Sequence, residues 1–330
     1  MRTFTRPRVV VSKCLGFARC RYNGAVLTDE FVARLKAHVG FVPVCPEMEV
    51  GLGCPRDPIR VVLRGGRRRL VQPATGRDLS DEMRSFAARF LDSVGEADGF
   101  ILKSRSPSCG IKDVKVYSGP QADVPRGVDR GFFGGAVLER FSDLPDGRRA
   151  GVPVEDEGRM NNFILREHFL TRLFAMASFR QVLRKGGMRR LVKFHAENKG
   201  LLMACNQAQM RQLGRLVANP NHLPEEEVFA AYRQGLARAL ARPPRPAGLL
   251  NVLMHALGYV SDGLQAGEKA FFLDTLEKYR AGKVPLSAAA TVVRSWGARF
   301  GVPYLMEQTF LEPYPEDLLD LHDSGKGRGT

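Results

Sequence analysis

Along the first part of the chain, short runs of β-branched and apolar residues alternate with stretches whose apolar positions recur every three or four residues. RVVVS (8–12), FVPV (41–44), IRVVLRG (59–65) and GFILKS (99–104) read as strands, and GRRRLVQP (66–73) as a turn followed by a strand. Short runs apolar on both faces suit strands buried in a parallel sheet. Between them, TDEFVARLKAHVG (28–40) and SDEMRSFAARFLDSVG (80–95) carry helical periodicity, with Thr28 and Ser80 as the expected N-caps and Gly40 as the expected stop. Strand and helix in alternation predict a Rossmann-like α/β domain with a largely parallel sheet.

The texture then changes. LPDGRRAGVPVEDEG (144–158) is rich in Gly, Pro and charge and reads as a linker. Beyond it the periodicity is helical almost throughout, as at Phe163, Leu170, Leu173, Phe174 and Ala177, with a break at ARPPRPAG (241–248). No repeat of fixed period is present, and the tail HDSGKGRGT has a disordered composition. The expected organisation is an α/β domain over 1–150 and an all-α domain over 151–330.

Three cysteines share one context. Cys14, Cys45 and Cys109 each follow a predicted strand. In an open parallel sheet, groups just past the carboxyl ends of the strands meet at one edge, where ligands bind. Three thiolates at one edge require a cation, and zinc or an iron–sulfur cluster are the soft choices. The spacing is not that of paired CxxC knuckles. Cys20, six residues after Cys14, is either a fourth ligand or a nearby free thiol. Cys54 reads as a small filler after a Gly-rich turn, and Cys205 as core on an apolar helix. Glu47, two residues past Cys45, is a candidate general base. Ser106 and Ser108, flanking Pro107, offer hydroxyls beside Cys109, although ordinary turn chemistry would also explain them.

Charge adds a partner. The chain has 330 residues, a formal net charge of +15 and a pI near 9.9, which favours an anionic partner, nucleic acid first. Arg180, Arg184, Lys185, Arg189, Arg190, Lys193, Lys199, Arg211 and Arg215 face one acid, Glu197, over the same span, and Arg64, Arg67, Arg68 and Arg69 form a second cluster. A phosphate backbone would be tracked by such residues, with Tyr22 near Cys14 able to stack on a base turned out of its stack. MRTFTRPRVVVSK has no apolar leader core, and no run reaches the roughly 18 apolar residues of a membrane span. The location expected on this reading is cytoplasmic, and the six cysteines are then expected outside disulfides.

SKCLGFARCRYNG, PVCPEMEVGLGCPRDPIR and ILKSRSPSCG resemble, in this order, the three motifs of the thiouracil desulfidase family. VEDEGRMNNFILREHFLTRLFA, LVKFHAENKGLLMACN, NVLMHALGY and EQTFLEPYPEDL resemble the helical domain fused to that desulfidase in longer bacterial proteins, and the whole resembles the tRNA 4-thiouridine desulfidases. The helical motif keeps His195 but carries Asn198 and Cys205 where further histidines are usual.

The resemblance implies a 4Fe-4S cluster held by Cys14, Cys45 and Cys109, with the fourth iron left open for substrate sulfur. It implies Glu47 and Ser106 as the catalytic pair. The reaction implied is hydrolytic and non-redox, turning 4-thiouridine of tRNA into uridine and sulfide. Free thiouracil is the alternative substrate, and a non-catalytic iron–sulfur RNA-binding protein the alternative outside enzymes.

Overall fold

The computed structural model describes residues 2–141 and 151–325. Two compact units divide the chain, Phe4–Ala177 with Asp317–Thr330, and Met1–Thr3 with Ser178–Glu316.

The first unit is α/β. Its elements are β1 (Arg8–Ser12), α1 (Glu30–Leu35), β2 (Gly40–Val44), α2 (Pro46–Glu49), β3 (Arg60–Arg64), β4 (Arg67–Val71), α3 (Ser80–Ser93), β5 (Gly99–Leu102), β6 (Val114–Tyr117), β7 (Pro125–Asp129), α4 (Phe132–Phe141), β8 (Val154–Asp156) and the first part of α5 (Phe163–Lys185). One sheet has the order β2-β1-β5-β8, and every pair in it is parallel. Val9, Val10 and Val11 of β1 and Phe100, Ile101 and Leu102 of β5 are fully buried, as central strands covered on both faces must be.

A second sheet, β4-β3-β6-β7, departs from the parallel expectation. β3 pairs antiparallel with β4 and β6 with β7, and only β3 and β6 run parallel. The β3–β4 hairpin turns at Gly65 and Gly66, whose φ of 55° and 72° suit the two-residue turn that matches strand twist. Leu70, Leu79, Met83, Phe86 and Phe133 form the core between this sheet and helices α3 and α4.

Several local expectations change. Asp29, not Thr28, caps α1, its carboxylate accepting from Val32 N at 2.8 Å. Gly40 opens β2 opposite Arg8 rather than ending a helix. Ser80 lies inside α3 with its hydroxyl buried, where it accepts from Leu70 N at 2.8 Å. Of the stretch read as a linker, 144–150 lies outside the described residues, and Val154–Asp156 is a strand on β5. The division between the two compact units falls inside α5, between Ala177 and Ser178. Of the tail, 326–330 lies outside the described residues; before it, Asp323 accepts from Phe163 N at 3.4 Å and Ser324 N donates to Asn161 O at 3.0 Å.

Asp156, at the end of β8, is buried and accepts from Arg159 N at 2.8 Å. Burial pushes its carboxyl up to about 6. A carboxyl raised in the fold binds more protons folded than unfolded, so its contribution to stability is full below the ordinary carboxyl range. That contribution falls as pH rises to about 6. Asp156→Asn keeps the acceptor without the buried charge. Each tenfold change in proton affinity is worth about 1.4 kcal/mol, so chemical denaturation at pH 7.5 is expected to show the variant more stable by up to about 3 kcal/mol. The advantage should vanish near pH 4.

The second unit is helical: the end of α5, then α6 (Met188–Glu197), α7 (Lys199–Ala218), α8 (Glu225–Ala239), α9 (Pro246–Gly258), α10 (Ala266–Arg280), α11 (Leu286–Arg299) and α12 (Pro303–Met306). Phe179, Phe194 and Tyr232 pack with ring centroids 5.4–6.0 Å apart at its centre. His195 Nδ1 meets Tyr232 Oη at 3.1 Å, and burial with the Lys199 charge lowers the imidazole pKa. Asn198 is buried, donating to Phe194 O and accepting from Thr309 Oγ1 at 2.9 Å. It braces the α6–α7 junction, so a histidine is not needed at that position for the helices to meet. Among the described residues, no helix is long and apolar enough to cross a membrane.

Candidate active site at the carboxyl edge of the parallel sheet

β2, β1 and β5 are neighbours, and their carboxyl ends deliver Cys45, Cys14 and the loop to Cys109 to one edge. Lys13 N donates to Val44 O at 2.8 Å, which carries the β1–β2 pairing up to the two cysteines. The third segment, SRSPSCG, is held from beneath. Ser106 Oγ accepts from Cys109 N at 3.1 Å and Ser108 N at 3.3 Å, and Ser106 O accepts from Gly110 N at 2.9 Å. The start of α4 supports the same loop: Phe132 N donates to Pro107 O, and Phe133 N and Gly134 N to Ser108 O. This approach requires glycine at 131 and 134, since a Cβ on either would stand 2.4 Å from a loop carbonyl oxygen.

Four cysteines gather here. Cys45 and Cys109 are buried and Cys14 is half-buried. Cys20, 3 % exposed, hydrogen-bonds through its side chain with both Cys14 and Cys45. The Cys20 thiol is pushed up to about 11, chiefly by its hydrogen bond with Cys14. The Cys45 thiol is raised, first by its hydrogen bond with Cys20 and then by burial. Burial pushes Cys109 up to about 12, with Glu47 and Cys45 adding to the rise. Without a cation these are protonated, inert thiols; a bound soft metal would invert that balance. Among the described residues, no three His, Cys, Asp or Glu side chains converge tightly enough to hold a single metal ion. A set of thiols of which Cys20, Cys45 and Cys109 are buried, with Cys14 beside them, has the soft donors that a thiophilic metal group such as an iron–sulfur cluster takes.

Glu47 lies on α2, directly after Cys45 and Pro46, and its two oxygens have different partners. Oε1 accepts from Ser108 Oγ at 2.6 Å, with Ser106 Oγ at 3.5 Å. Oε2 accepts from Arg56 Nε at 2.9 Å and pairs with Nη2 of the same guanidinium. Because the Ser108 hydrogen goes to Glu47, the 3.0 Å bond between the two serines is one in which Ser106 donates. The result is a line of hydroxyls, Ser106 to Ser108 to Glu47, beside Cys109. Tyr22 is 43 % exposed, with the Arg21 guanidinium 5.6 Å from its ring centroid.

Two profiles match the chain. One, described as 2-thiouracil desulfurase, covers residues 9–148. The other, described as a protein of unknown function (DUF1722), covers 199–315. The protein YbbK of Bacillus subtilis (strain 168), described as uncharacterized, is 34 % identical over 110 residues, covering 31 % of this chain and 72 % of its own. This chain belongs to the 2-thiouracil desulfurase family. YbgA of Escherichia coli (strain K12), also described as uncharacterized, is 28 % identical over 159 residues, covering 47 % of this chain and 93 % of its own. A solved structure titled 4Fe-4S-dependent thiouracil desulfidase TudS is 26 % identical, covers 47 % of this chain and 93 % of its own, and has a TM-score of 0.35.

Within this desulfurase-family unit, Cys14, Cys45, Cys109, Glu47 and Ser106 all lie at the one edge. Three further residues join this edge. Cys20 is among the thiols, because the loop after β1 doubles back and Leu27 N donates to Cys14 O at 2.9 Å. Ser108 contacts Glu47 more closely than Ser106 does. Arg56, two residues after Cys54 and its cis bond to Pro55, supplies the buried cation, and only its adjacency to CPE and GLGCP in sequence hints at it. Cys54 is more than a filler: its sulfur lies 3.2 Å from both Arg19 O and Arg21 O, so its single S–H donates to one or the other and ties down the Cys20 loop.

Proposed function

We propose that this chain is a hydrolytic desulfidase that removes sulfur from 4-thiouridine in tRNA, with Cys14, Cys45 and Cys109 holding a 4Fe-4S cluster. What supports the reading is the placement of Glu47 beside buried sulfur donors, with one carboxylate oxygen on a serine hydroxyl and the other on a guanidinium. A cluster held there would supply an iron with affinity for the sulfur of a thiocarbonyl. Glu47 takes a proton from a water, whose oxygen bonds to the ring carbon. The carbon–sulfur bond breaks, and its electron pair leaves with sulfur as sulfide. Water supplies the oxygen and both protons, so no oxidant or reductant is consumed. Ser108, in contact with Glu47, relays a proton to or from the carboxylate, and Ser106 orients Ser108.

A free thiolated base needs the same chemistry but no basic surface. The choice of tRNA rests on α6 and its flanks. Leu191 and Phe194 are buried, while Arg189, Arg190, Lys193 and Lys199 are exposed, with one ion pair among them, Lys193 to Glu197 at 3.6 Å. The other basic cluster is partly neutralised: Arg68 pairs with Asp129 at 3.1 Å and Arg69 with Asp78 at 3.7 Å. Charge reversal in Arg189→Glu/Lys193→Glu is expected to weaken tRNA turnover. Its salt dependence should flatten by about 0.7–0.9 in log–log slope for each phosphate no longer neutralised. Turnover of free 4-thiouracil should not change. Equal loss on both substrates would refute the assignment of this face to RNA. Sulfide measured from anaerobically reconstituted protein on thiolated tRNA and on free thiouracil tests the substrate, and release from the free base alone would favour the second reading.

A further inference from the structure

We propose that Arg56 is a positioning residue of this site, fixing the Glu47 carboxylate and the Cys20 loop to each other; the inference rests on the desulfidase reading above. Its side chain is 4 % exposed, so the guanidinium is a buried charge that must be fully partnered. Every nitrogen is used. Nε and Nη2 hold Glu47 Oε2, Nη1 donates to Gly53 O at 2.7 Å with Met48 Sδ at 3.8 Å, and Nη2 donates to Cys20 O at 2.9 Å. The backbone joins in, Arg56 N donating to Tyr22 O at 2.8 Å. One planar group thus spans three segments: the α2 turn bearing Glu47, the glycine turn at Gly53, and the loop bearing Cys20 and Tyr22.

The geometry has a specific consequence. With Oε2 taken by the guanidinium, the carboxylate cannot rotate, and Oε1 is the oxygen left for Ser108 and for a water. The same fork sets the loop that presents Cys20 to Cys14 and Cys45. A lysine would carry the charge but, as a point cation, could not serve Glu47 Oε2, Gly53 O and Cys20 O together.

The test compares Arg56→Lys and Arg56→Gln with the wild type for kcat, KM, iron content, and alkylation of Cys20 by iodoacetamide in the metal-free protein. Misplacement of the carboxylate is expected to lower kcat roughly 100-fold in Arg56→Gln with KM little changed. Iron per chain should stay within a factor of about two of wild type, and Cys20 should alkylate faster in both variants. Arg56→Lys is expected to recover only part of kcat. Wild-type kcat in Arg56→Lys would overturn the proposal, because charge without the fork would then suffice. Loss of kcat in proportion to lost iron, or loss of the fold in both variants by circular dichroism, would also overturn it, leaving Arg56 a structural ion pair. A wild-type protein that releases no sulfide from any thiolated pyrimidine refutes the desulfidase reading instead.

Discussion

Glu47→Gln is expected to lower sulfide release by roughly 1,000-fold, within the range a positioned general base contributes, while iron per chain is retained. Glutamine keeps the volume and an oxygen acceptor, so the contacts from Ser108 and Arg56 can be kept in part. It cannot take a proton from water. The substitution also leaves the Arg56 cation buried without its counter-charge, which costs about 3–5 kcal/mol. Turnover should therefore be measured far from the unfolding midpoint of the variant. Undiminished release with iron in place would remove Glu47 from the mechanism. Ser108→Ala, which deletes the 2.6 Å contact but no charge, is expected to fall between wild type and Glu47→Gln.

Cys109→Ser is expected to abolish both metal retention and sulfide release. Cys109 is 5 % exposed, and burial holds its thiol near 12, so in the metal-free protein it is no nucleophile and only packs. Serine fits the space but offers a hard oxygen in place of a soft sulfur, which iron–sulfur chemistry does not accept readily. Iron and acid-labile sulfide should drop to background after anaerobic reconstitution, with the far-ultraviolet circular dichroism unchanged. Cys205→Ser, on α7 of the helical unit, is the control and should keep its iron. A Cys109→Ser protein with full iron and activity would mean that the sulfur donors are misassigned.

Much of this architecture is legible in the residues, and the reasons are physical. Strands β1, β2 and β5 are short apolar runs, buried throughout at β5 and past Arg8 at β1 because both faces of the sheet are covered, so the run itself announces the strand. A cysteine after each then follows from the rule that parallel strands deliver their ends to one edge. The second sheet is only half visible. The Gly65-Gly66 hairpin shows as a turn, but only Val114 of VKVY is buried and β7 is mostly exposed, so VKVY and PRGVD lack the continuous buried run that marks β1 and β5. β8 is hidden by composition: VED reads as linker because the acids in and beside it are satisfied only in three dimensions, Glu157 by Lys103 and Ser104 and Glu155 by Arg159.

The site divides in the same way. Cys14, Cys45 and Cys109 are placed by local sequence relative to strands. Cys20 is placed by a loop that doubles back, and Arg56 by a fork whose partners lie 3, 9 and 36 residues away. No periodicity encodes such contacts. The serines show the limit within a single motif, since Ser106 and Ser108 are equivalent as letters. The turn around Pro107 sends the Ser108 hydroxyl to Glu47 and uses the Ser106 oxygen to accept from backbone N–H groups.

Hydrolytic removal of sulfur from tRNA is tested most directly by the stoichiometry of a single reaction. Anaerobically reconstituted protein is mixed with tRNA containing 4-thiouridine, with no reductant or oxidant, and sulfide and uridine are counted together. One sulfide per uridine formed is expected, with oxygen from labelled water appearing at the ring carbon. Uridine formed only when an electron donor is supplied, or no sulfide from the tRNA, would contradict it.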